Sequence, residues 1–392
     1  MIGDGDTTMF ERDLFTTDRL YCPGPTPVPS EVSHAGTQTS MYHRSDDFYK
    51  VFRRCADRLA PIFGTANPPL ILTSSGTGAM ESVLVNLTDV GDEVVVVNGG
   101  KFGERWEKLA KAYRCDAAVV AVEAGHAPTA EQILDAVARQ RQTKAIFLQA
   151  NETSTGAYYS IETLVPQLRQ KFGGLIIVDA ISSLCAHAMR MDEWQIDAVV
   201  AGSQKGFGLP PGLSFVALSD RAWGQLSSRP RFYFDLLRER KGQADGRSAW
   251  TPASTLVLSL DVALHKMLEA GLDHVLEHHA ALATATQAAV KALDLELFAA
   301  TAPSRSLTSI TVPQDLDGQR LIKRIRQRFA MYVAGGQDEL KGKIIRFAHL
   351  GFVSRFDILD GIAALEFALR EEGHRFDCGV GVKAAMQSLV LV

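Results

Sequence analysis

The 392-residue sequence predicts an α/β protein, with a large domain built on a mainly parallel sheet and a small C-terminal α+β domain behind it. Two observations carry this reading. From Pro69 to about Ser219, short apolar runs rich in β-branched residues alternate with stretches of helical period, the pattern of parallel strands covered by helices on both faces. After Thr251-Pro252 the pattern changes to long helices and then to a second, shorter set of strands and helices. With 46% hydrophobic and 22% charged residues, the chain can bury a core in each part.

In chain order, Met1 to Phe15 carries Asp4, Asp6, Glu11 and Asp13 and lacks the apolar stretch of a signal peptide, so residues 1–20 read as an N-terminal arm. Strands are expected over residues 70–73, 93–98, 117–122, 145–149, 175–179, 198–202 and 213–218, a seven-stranded sheet. Their interiors are apolar throughout, as burial on both faces requires. Gly91-Asp92 marks the turn into the second strand, and Ile133, Leu134, Ala136 and Val137 give residues 128–141 a helical period. Helical patterns over 254–270 and 274–293 lead out of the large domain, taken as 21–275. The small domain, 276–392, is expected to hold a strand at 306–312, an amphipathic helix at 316–329, a loop at Gly335-Gly336, a strand at 344–347 and a helix at 357–371. No internal repeat or low-complexity tract interrupts this plan.

Lys plus Arg number 41 against 45 Asp plus Glu, a net charge of -4 that leaves no electrostatic footprint for nucleic acid or an acidic membrane surface. No apolar run is long enough to span a bilayer, so the expected partner is a small molecule. Cys22, Cys55, Cys115, Cys185 and Cys378 are scattered and form no CxxC pair, which argues against a disulfide framework or a zinc site and for a reducing cytosol. The closing Ser-Leu-Val-Leu-Val is no peroxisomal address, so the cytoplasm is the expected location.

Several fragments imitate motifs and fail on one residue. Gly76-Thr-Gly78-Ala-Met-Glu81 lacks the third glycine of a dinucleotide fingerprint. Asn98-Gly-Gly-Lys101-Phe102 has Phe where a P-loop needs a magnesium-binding hydroxyl. His274 and His278 stand one helical turn apart, but Val275 replaces the Glu of HExxH, and a solvated helix face is the plainer reading. Arg320, Lys323, Arg324, Arg326 and Arg328 interleave with Leu321, Ile322, Ile325 and Phe329, the wet side of a core-packed helix. No GxSxG elbow is present.

One constellation survives. Ser75-Gly76-Thr77-Gly78 lies where a strand ends and a helix begins, a turn whose free N–H groups and positive helix end suit a phosphate. Asp179 closes one buried strand, and Gln204-Lys205 follow the next. Ligands of open parallel sheets sit beyond the carboxyl ends of the strands, so these groups should meet at one crevice. Singly, the turn and Asp179 read equally as helix caps and Lys205 as a surface residue. Together they match the needs of pyridoxal 5'-phosphate: a phosphate cradle, an acidic partner for the pyridine nitrogen, and an amine for the aldehyde. A lysine so placed could also carry a proton to and from the substrate Cα.

The stretches PGPTPVP (23–29), SSGTGAME (74–81), GGKFGERW (99–106), NETSTGA (151–157), VDAISSL (178–184), GSQKGFGLPPGLS (202–214) and IIRFAHLG (344–351) resemble those of class V aminotransferases, pyridoxal-phosphate enzymes of fold type I. The likeness spans nearly the whole chain and is nearest the alanine–glyoxylate and serine–glyoxylate (serine–pyruvate) branch. It implies that Lys205 is the Schiff-base lysine, Asp179 the pyridine-nitrogen partner, and Ser75, Gly76, Thr77 and Gln204 the phosphate site. It implies that Thr153 stands near the ring's phenolic oxygen and that Phe102 stacks on the ring, where near relatives have Trp or Tyr. Thr251 resembles a residue lent to the phosphate by a neighbouring subunit, hence a homodimer with shared active sites; the relatives' Tyr three residues earlier is Ser248 here. Arg346 resembles the arginine that grips the substrate α-carboxylate, where without the likeness a surface salt bridge would serve as well. Gly24 is expected to let backbone approach the substrate, and His349 to be a packing residue.

The implied reaction moves an amino group from alanine or serine to a small 2-oxo acid, glyoxylate or pyruvate, by a ping-pong cycle. Three rivals stand beside it. A cysteine desulfurase needs a mobile nucleophilic Cys in the later domain, and none lies between Cys185 and Cys378. An aminoethylphosphonate transaminase shares the turn and the lysine, and a scaffold without turnover would be expected to lose Lys205 or Asp179.

Overall fold

The structure, a computed structural model, describes residues 17–38 and 41–390. The acidic stretch 1–15 and most of the expected arm lie outside the described residues. Strands run at β1 (Arg19–Tyr21), β2 (Leu70–Leu72), β3 (Glu93–Asn98), β4 (Asp116–Ala121), β5 (Ala145–Gln149), β6 (Asn151–Glu152), β7 (Ala157–Tyr158), β8 (Leu175–Asp179), β9 (Ala198–Gly202), β10 (Ser214–Leu218), β11 (Leu307–Thr311), β12 (Met331–Gly335) and β13 (Ile344–Ala348).

Val94, Val95, Val96 and Val97 of β3 are all fully buried, yet they serve two cores. Side chains alternate across a strand, so Val95 and Val97 join one core with Ile146, Leu148, Ile176 and Val178, while Val94 and Val96 join another with Phe147, Leu175 and Ile177. This two-sided burial makes the strands apolar throughout, and the seven-stranded sheet has the order β2-β10-β9-β8-β5-β3-β4. Five neighbours from β4 to β9 run parallel, and β10 is antiparallel to both β9 and β2. The expected mainly parallel sheet of fold type I is therefore present, with its strands within a residue or so of their expected positions.

The helix Asp46–Phe63 was not anticipated. Ser45 accepts a hydrogen bond from Phe48 N (3.2 Å), Gly64 closes the helix in the left-handed region (φ 63°), and Phe48, Phe52, Cys55, Leu59 and Phe63 form its buried face. A carboxylate then ties it to the sheet's outer layer: Asp261, on the helix Ser254–Ala270, accepts from Arg54 Nε (2.8 Å) and Arg58 Nη1 (2.6 Å).

A third core gathers Tyr21, Ile310, Leu321, Ile325, Ile345, Phe347, Ile358 and Ile362 around a four-stranded sheet of order β1-β12-β13-β11. Two readings of this region are corrected. Gly335, expected in a loop, ends β12, because its strand pairs with β13 through Gly335↔Ile345 and its flexible composition does not outweigh that pairing. Arg19 and Leu20, assigned to an arm, form β1 with Tyr21, the first residue assigned to the large domain, and this strand pairs in parallel with Met331–Val333. The expected division near 275 falls inside the helix Leu272–Ala292, whose Leu272 and Val275 pack on the first core and whose Leu282 and Ala285 pack on the third. The basic helix Gly318–Phe329 does present its arginines outward: Arg320 and Arg324 meet Glu372 at 2.5 and 2.6 Å, and Arg324 meets Glu371 at 2.7 Å. Among the described residues no helix is long and apolar enough to cross a membrane.

Candidate active site

The carboxyl ends of β2, β3, β5, β8 and β9 are followed by the turns that hold Ser75, Phe102, Thr153, Asp179 and Lys205, so one edge of the sheet gathers residues distant in sequence. Lys205 donates from Nζ to the carbonyl of Pro23, and Thr26 locks the same contact from its far side, donating from Oγ1 to Lys205 O (2.8 Å) and from N to Gln204 O (3.2 Å). Gly24 has φ +130°, and a Cβ there would stand 2.7 Å from Lys205 Cδ and Cε. Glycine is needed at this position because both the backbone angle and the lysine stem exclude a side chain. Gly24 thus lies against the lysine itself. Burial drives the amine down to about 8; Cys22 and Asp179 act to raise it, Arg346 and Arg105 to lower it further.

Asp179 is 4% exposed and accepts a hydrogen bond at Oδ1 from Ile181 N (2.8 Å). Burial pushes its carboxyl up to about 7, against the opposing pull of that bond and of Arg105 and Lys205, while Glu152 pushes the same way as burial. Ile181 also presses on the turn at Ser75–Gly78, since a Cβ on Gly76 would come within 2.6 Å of its Cδ1. Ser75 caps the helix Gly76–Leu87, accepting from Gly78 N (3.4 Å). Among the described residues the N–H groups of Gly76 and Thr77 meet no acceptor, and as first donors of a helix they have none within it.

These features fit pyridoxal 5'-phosphate. The Gln204 side-chain carbonyl is buried with no partner among the described residues, next to Gly202, which Ile181 also approaches; with the amide turned over, its NH2 group would stand there and could donate to a phosphate. Oδ2 of Asp179 is likewise without a hydrogen bond among the described residues. The cofactor would be held at its two ends by these groups.

The turn after β5 supplies the rest. Thr153 Oγ1 and Ser182 Oγ lie 2.5 Å apart, and Asn151 Nδ2 donates to the same Ser182 oxygen (2.8 Å). Arg346, on β13, is 8% exposed; it donates from Nε to Gly335 O (2.9 Å) and from Nη1 to Thr153 O (2.9 Å). It has no acidic partner among the described residues, so burial holds its guanidinium below the usual range, with Glu152 and Cys22 acting in opposition. The surface salt bridge that could have explained it is not formed. Phe102 is half-buried, and Arg105 lies over its ring with Cζ 4.8 Å from the centroid.

Thr251 is exposed, on the wall of a polar cavity of about 360 Å³ lined also by Arg44, Arg247, Ser248 and Trp250, and no hydrogen bond ties it to the residues above. His349 is fully buried between Thr308 Oγ1 (3.0 Å) and Arg305 O (2.9 Å), with burial lowering it to about 3, and so is a packing residue. Four participants escaped the sequence: Pro23, whose carbonyl holds the lysine; Ser182; Arg105; and Glu152. The last two sit inside GGKFGERW and NETSTGA, beside Phe102 and Thr153, to which the resemblance gives roles.

Residues 23–341 match the family model described as aminotransferase class V. The chain is 39% identical over 376 residues to a protein named soluble hydrogenase, small subunit, from a Synechococcus species, covering 94% of this chain and 98% of that one. It is 31% identical to a serine–glyoxylate aminotransferase of Methylorubrum extorquens, covering 95% and 96%. The crystal structure of ureidoglycine–glyoxylate aminotransferase from Bacillus subtilis superposes with a TM-score of 0.90 at 25% identity, covering 96% of this chain and 99% of that one. A match along almost the full length, on a sheet whose strand ends carry a lysine, an aspartate and a phosphate turn, makes this chain a member of the class V aminotransferases, pyridoxal-phosphate-dependent enzymes of fold type I.

Proposed function

We propose that this aminotransferase takes an amino group from alanine or serine and gives it to a small 2-oxo acid, glyoxylate or pyruvate, in two alternating half-reactions at one site, as a cytoplasmic homodimer. The observation that carries the reading is Arg346, a buried guanidinium with two donors spent on backbone carbonyls and no acid paired with it among the described residues, joined through Thr153 to the turn beside Asp179. Such a group is an anion site, and an α-carboxylate is the anion every amino acid and 2-oxo acid shares. Glyoxylate stands in the names of two relatives described above, which favours it as acceptor.

Bound pyridoxal 5'-phosphate supplies an aldehyde that condenses with amines and a cationic ring that accepts the electron pair left at Cα when its proton departs. Gly76 and Thr77 N–H, Ser75 and Gln204 would hold its phosphate, with Thr251 of a second subunit completing the cradle. Phe102 would cover one face of the ring and Thr153 would meet its phenolic oxygen. Asp179 would pair with the ring nitrogen; a protonated nitrogen beside it would favour the ionised carboxylate and so oppose the effect of burial. Lys205 would be the base at Cα, and Arg346 would turn the Cα–H bond toward it.

The direct test is a single-turnover screen in which loaded enzyme meets one amino acid at a time and the fall of the near-visible band is followed. Alanine and serine should convert it fastest, and glyoxylate or pyruvate should restore it. Conversion by aminoethylphosphonate alone would replace this reading with its phosphonate rival.

A pH dependence follows from Lys205. An amine lowered to about 8 is about one-tenth neutral at pH 7, and only the neutral form attacks an aldehyde. Uptake of added cofactor by apoprotein, followed by stopped-flow absorbance, should quicken about tenfold per pH unit below 8 and level off above it. A rate still climbing at pH 10 would mean that burial does not depress this amine.

A further inference from the structure

We propose that Glu152 is a positioning residue whose buried carboxylate sets the place of Phe102 and of Arg346 at once; the inference rests on the proposed seating of the cofactor against Phe102. Glu152 is fully buried and forms no ion pair among the described residues. Its two oxygens instead collect hydrogen bonds from Phe102 N (3.2 Å), Gly103 N (3.0 Å), Gln149 Nε2 (2.9 Å), Ser154 N (3.1 Å) and Ser154 Oγ (2.5 Å). Every one of these neighbours is a donor, so the site calls for a group that accepts at both of its oxygens. Two of these donors, Phe102 N and Gly103 N, belong to the first turn of the helix Lys101–Ala112, whose positive end favours negative charge there in place of a counter-ion.

The contacts join two parts of the site. On one side the carboxylate grips the backbone of Phe102 and Gly103, and Ser154 Oγ extends the grip to Lys101 N (3.0 Å), so the first turn of the helix is held where Phe102 leaves it. A Cβ on Gly100 would lie 2.7 Å from Glu152 Cδ, which shows how closely that backbone is pressed onto the acid. On the other side the next residue is Thr153, whose carbonyl takes Arg346 Nη1 and whose hydroxyl meets Ser182. Displacing the carboxylate therefore moves the ring-covering side chain and the substrate arginine together. Glu152 itself touches neither in a way that would make it a chemical participant.

The test compares Glu152→Gln and Glu152→Asp with the parent as loaded enzymes, and measures cofactor affinity of the apoproteins by titration. Gln offers an NH2 where the site presents donors, so it is not a conservative change here. The expected result for Glu152→Gln is a kcat lower by about 10²-fold with a raised KM for alanine, as ångström-scale misplacement gives. Cofactor affinity should fall about tenfold, with a changed circular-dichroism band of the bound cofactor. Glu152→Asp, which keeps the charge, should recover part of each. A merely structural role would lower the melting temperature of the apoprotein while leaving kcat, KM, affinity and the dichroic band of the folded enzyme at parent values, and that outcome overturns the proposal. If Glu152→Gln does not fold, Ser154→Ala decides: it cuts the bridge between the acid and Lys101 N, and an unaltered dichroic band and affinity count against positioning. Should the parent itself fail to take up cofactor at Lys205, the seating reading falls first and this inference with it, whereas an unaffected variant of a functional parent removes the inference alone.

Discussion

Lys205→Ala is expected to lower transamination of alanine with glyoxylate by about 10⁴-fold or more, because it removes both the amine proposed to hold the cofactor and the base proposed at Cα. The side chain is suited to both tasks by where it lies. Its Nζ is held on the Pro23 carbonyl, Gly24 leaves room for its stem, and burial lowers the amine to about 8, within reach of the working pH. A lysine kept for structure would be paired with an acid; this one has no ion pair among the described residues. The check has two parts. Borohydride reduction followed by peptide mass analysis should find the adduct on Lys205 in the parent, and the variant should bind cofactor without forming any. An adduct on another lysine, or a variant with more than about a hundredth of parental kcat, would remove Lys205 from the chemistry.

What could be read from the sequence, and what could not, divides along a physical line. The strands of the large sheet were legible because burial on both faces writes an unbroken apolar run, as at Val94–Val97 and again at Ile176–Val178, bounded by polar turns. Asp179 and Lys205 were legible because a charge immediately after such a run has a defined place at the sheet's edge. β1 was not: three residues beginning with Arg19 carry no period, and they form a strand only because Met331–Val333 offers an edge some three hundred residues away. The helix Val380–Val390 was missed although its Ala385 and Leu389 are buried, because Gly379 and Gly381 obscure its start.

The site divides in the same way. Glu152 lies in a motif that was noticed, yet its importance comes from donors contributed by the helix Lys101–Ala112, by Gln149 and by Ser154, and no spacing along one segment encodes that convergence. Pro23 acts through a carbonyl oxygen, a group every residue has, so its identity gave no signal. Thr251 is exposed in the single chain, and among the described residues no hydrogen bond ties it to the other residues of the site.

Arg346→Lys should lower kcat/KM for alanine by about 10²-fold, with KM raised and kcat reduced. Two of the guanidinium's five N–H donors are fixed, Nε on Gly335 O and one of the Nη1 pair on Thr153 O, which leaves the second Nη1 hydrogen and both on Nη2. Nη2 keeps both of its hydrogens, and two anchored bonds stop the plane from rotating, so a carboxylate can be met in a set orientation. Lysine keeps the charge but offers a point donor on a flexible stem and cannot serve Gly335, Thr153 and a substrate together. Loss of one charge-assisted bond, about 1.5–3 kcal/mol, is worth about 10- to 100-fold, and misdirection of the Cα–H bond adds a share that appears in kcat. An amine without a carboxylate separates this role from a general loss of structure. Its slow half-reaction, followed at the cofactor band, should be the same in variant and parent. Equal losses with alanine and with the simple amine would assign Arg346 to holding β12, β13 and the Thr153 turn together, and would leave the substrate's carboxylate to be gripped elsewhere.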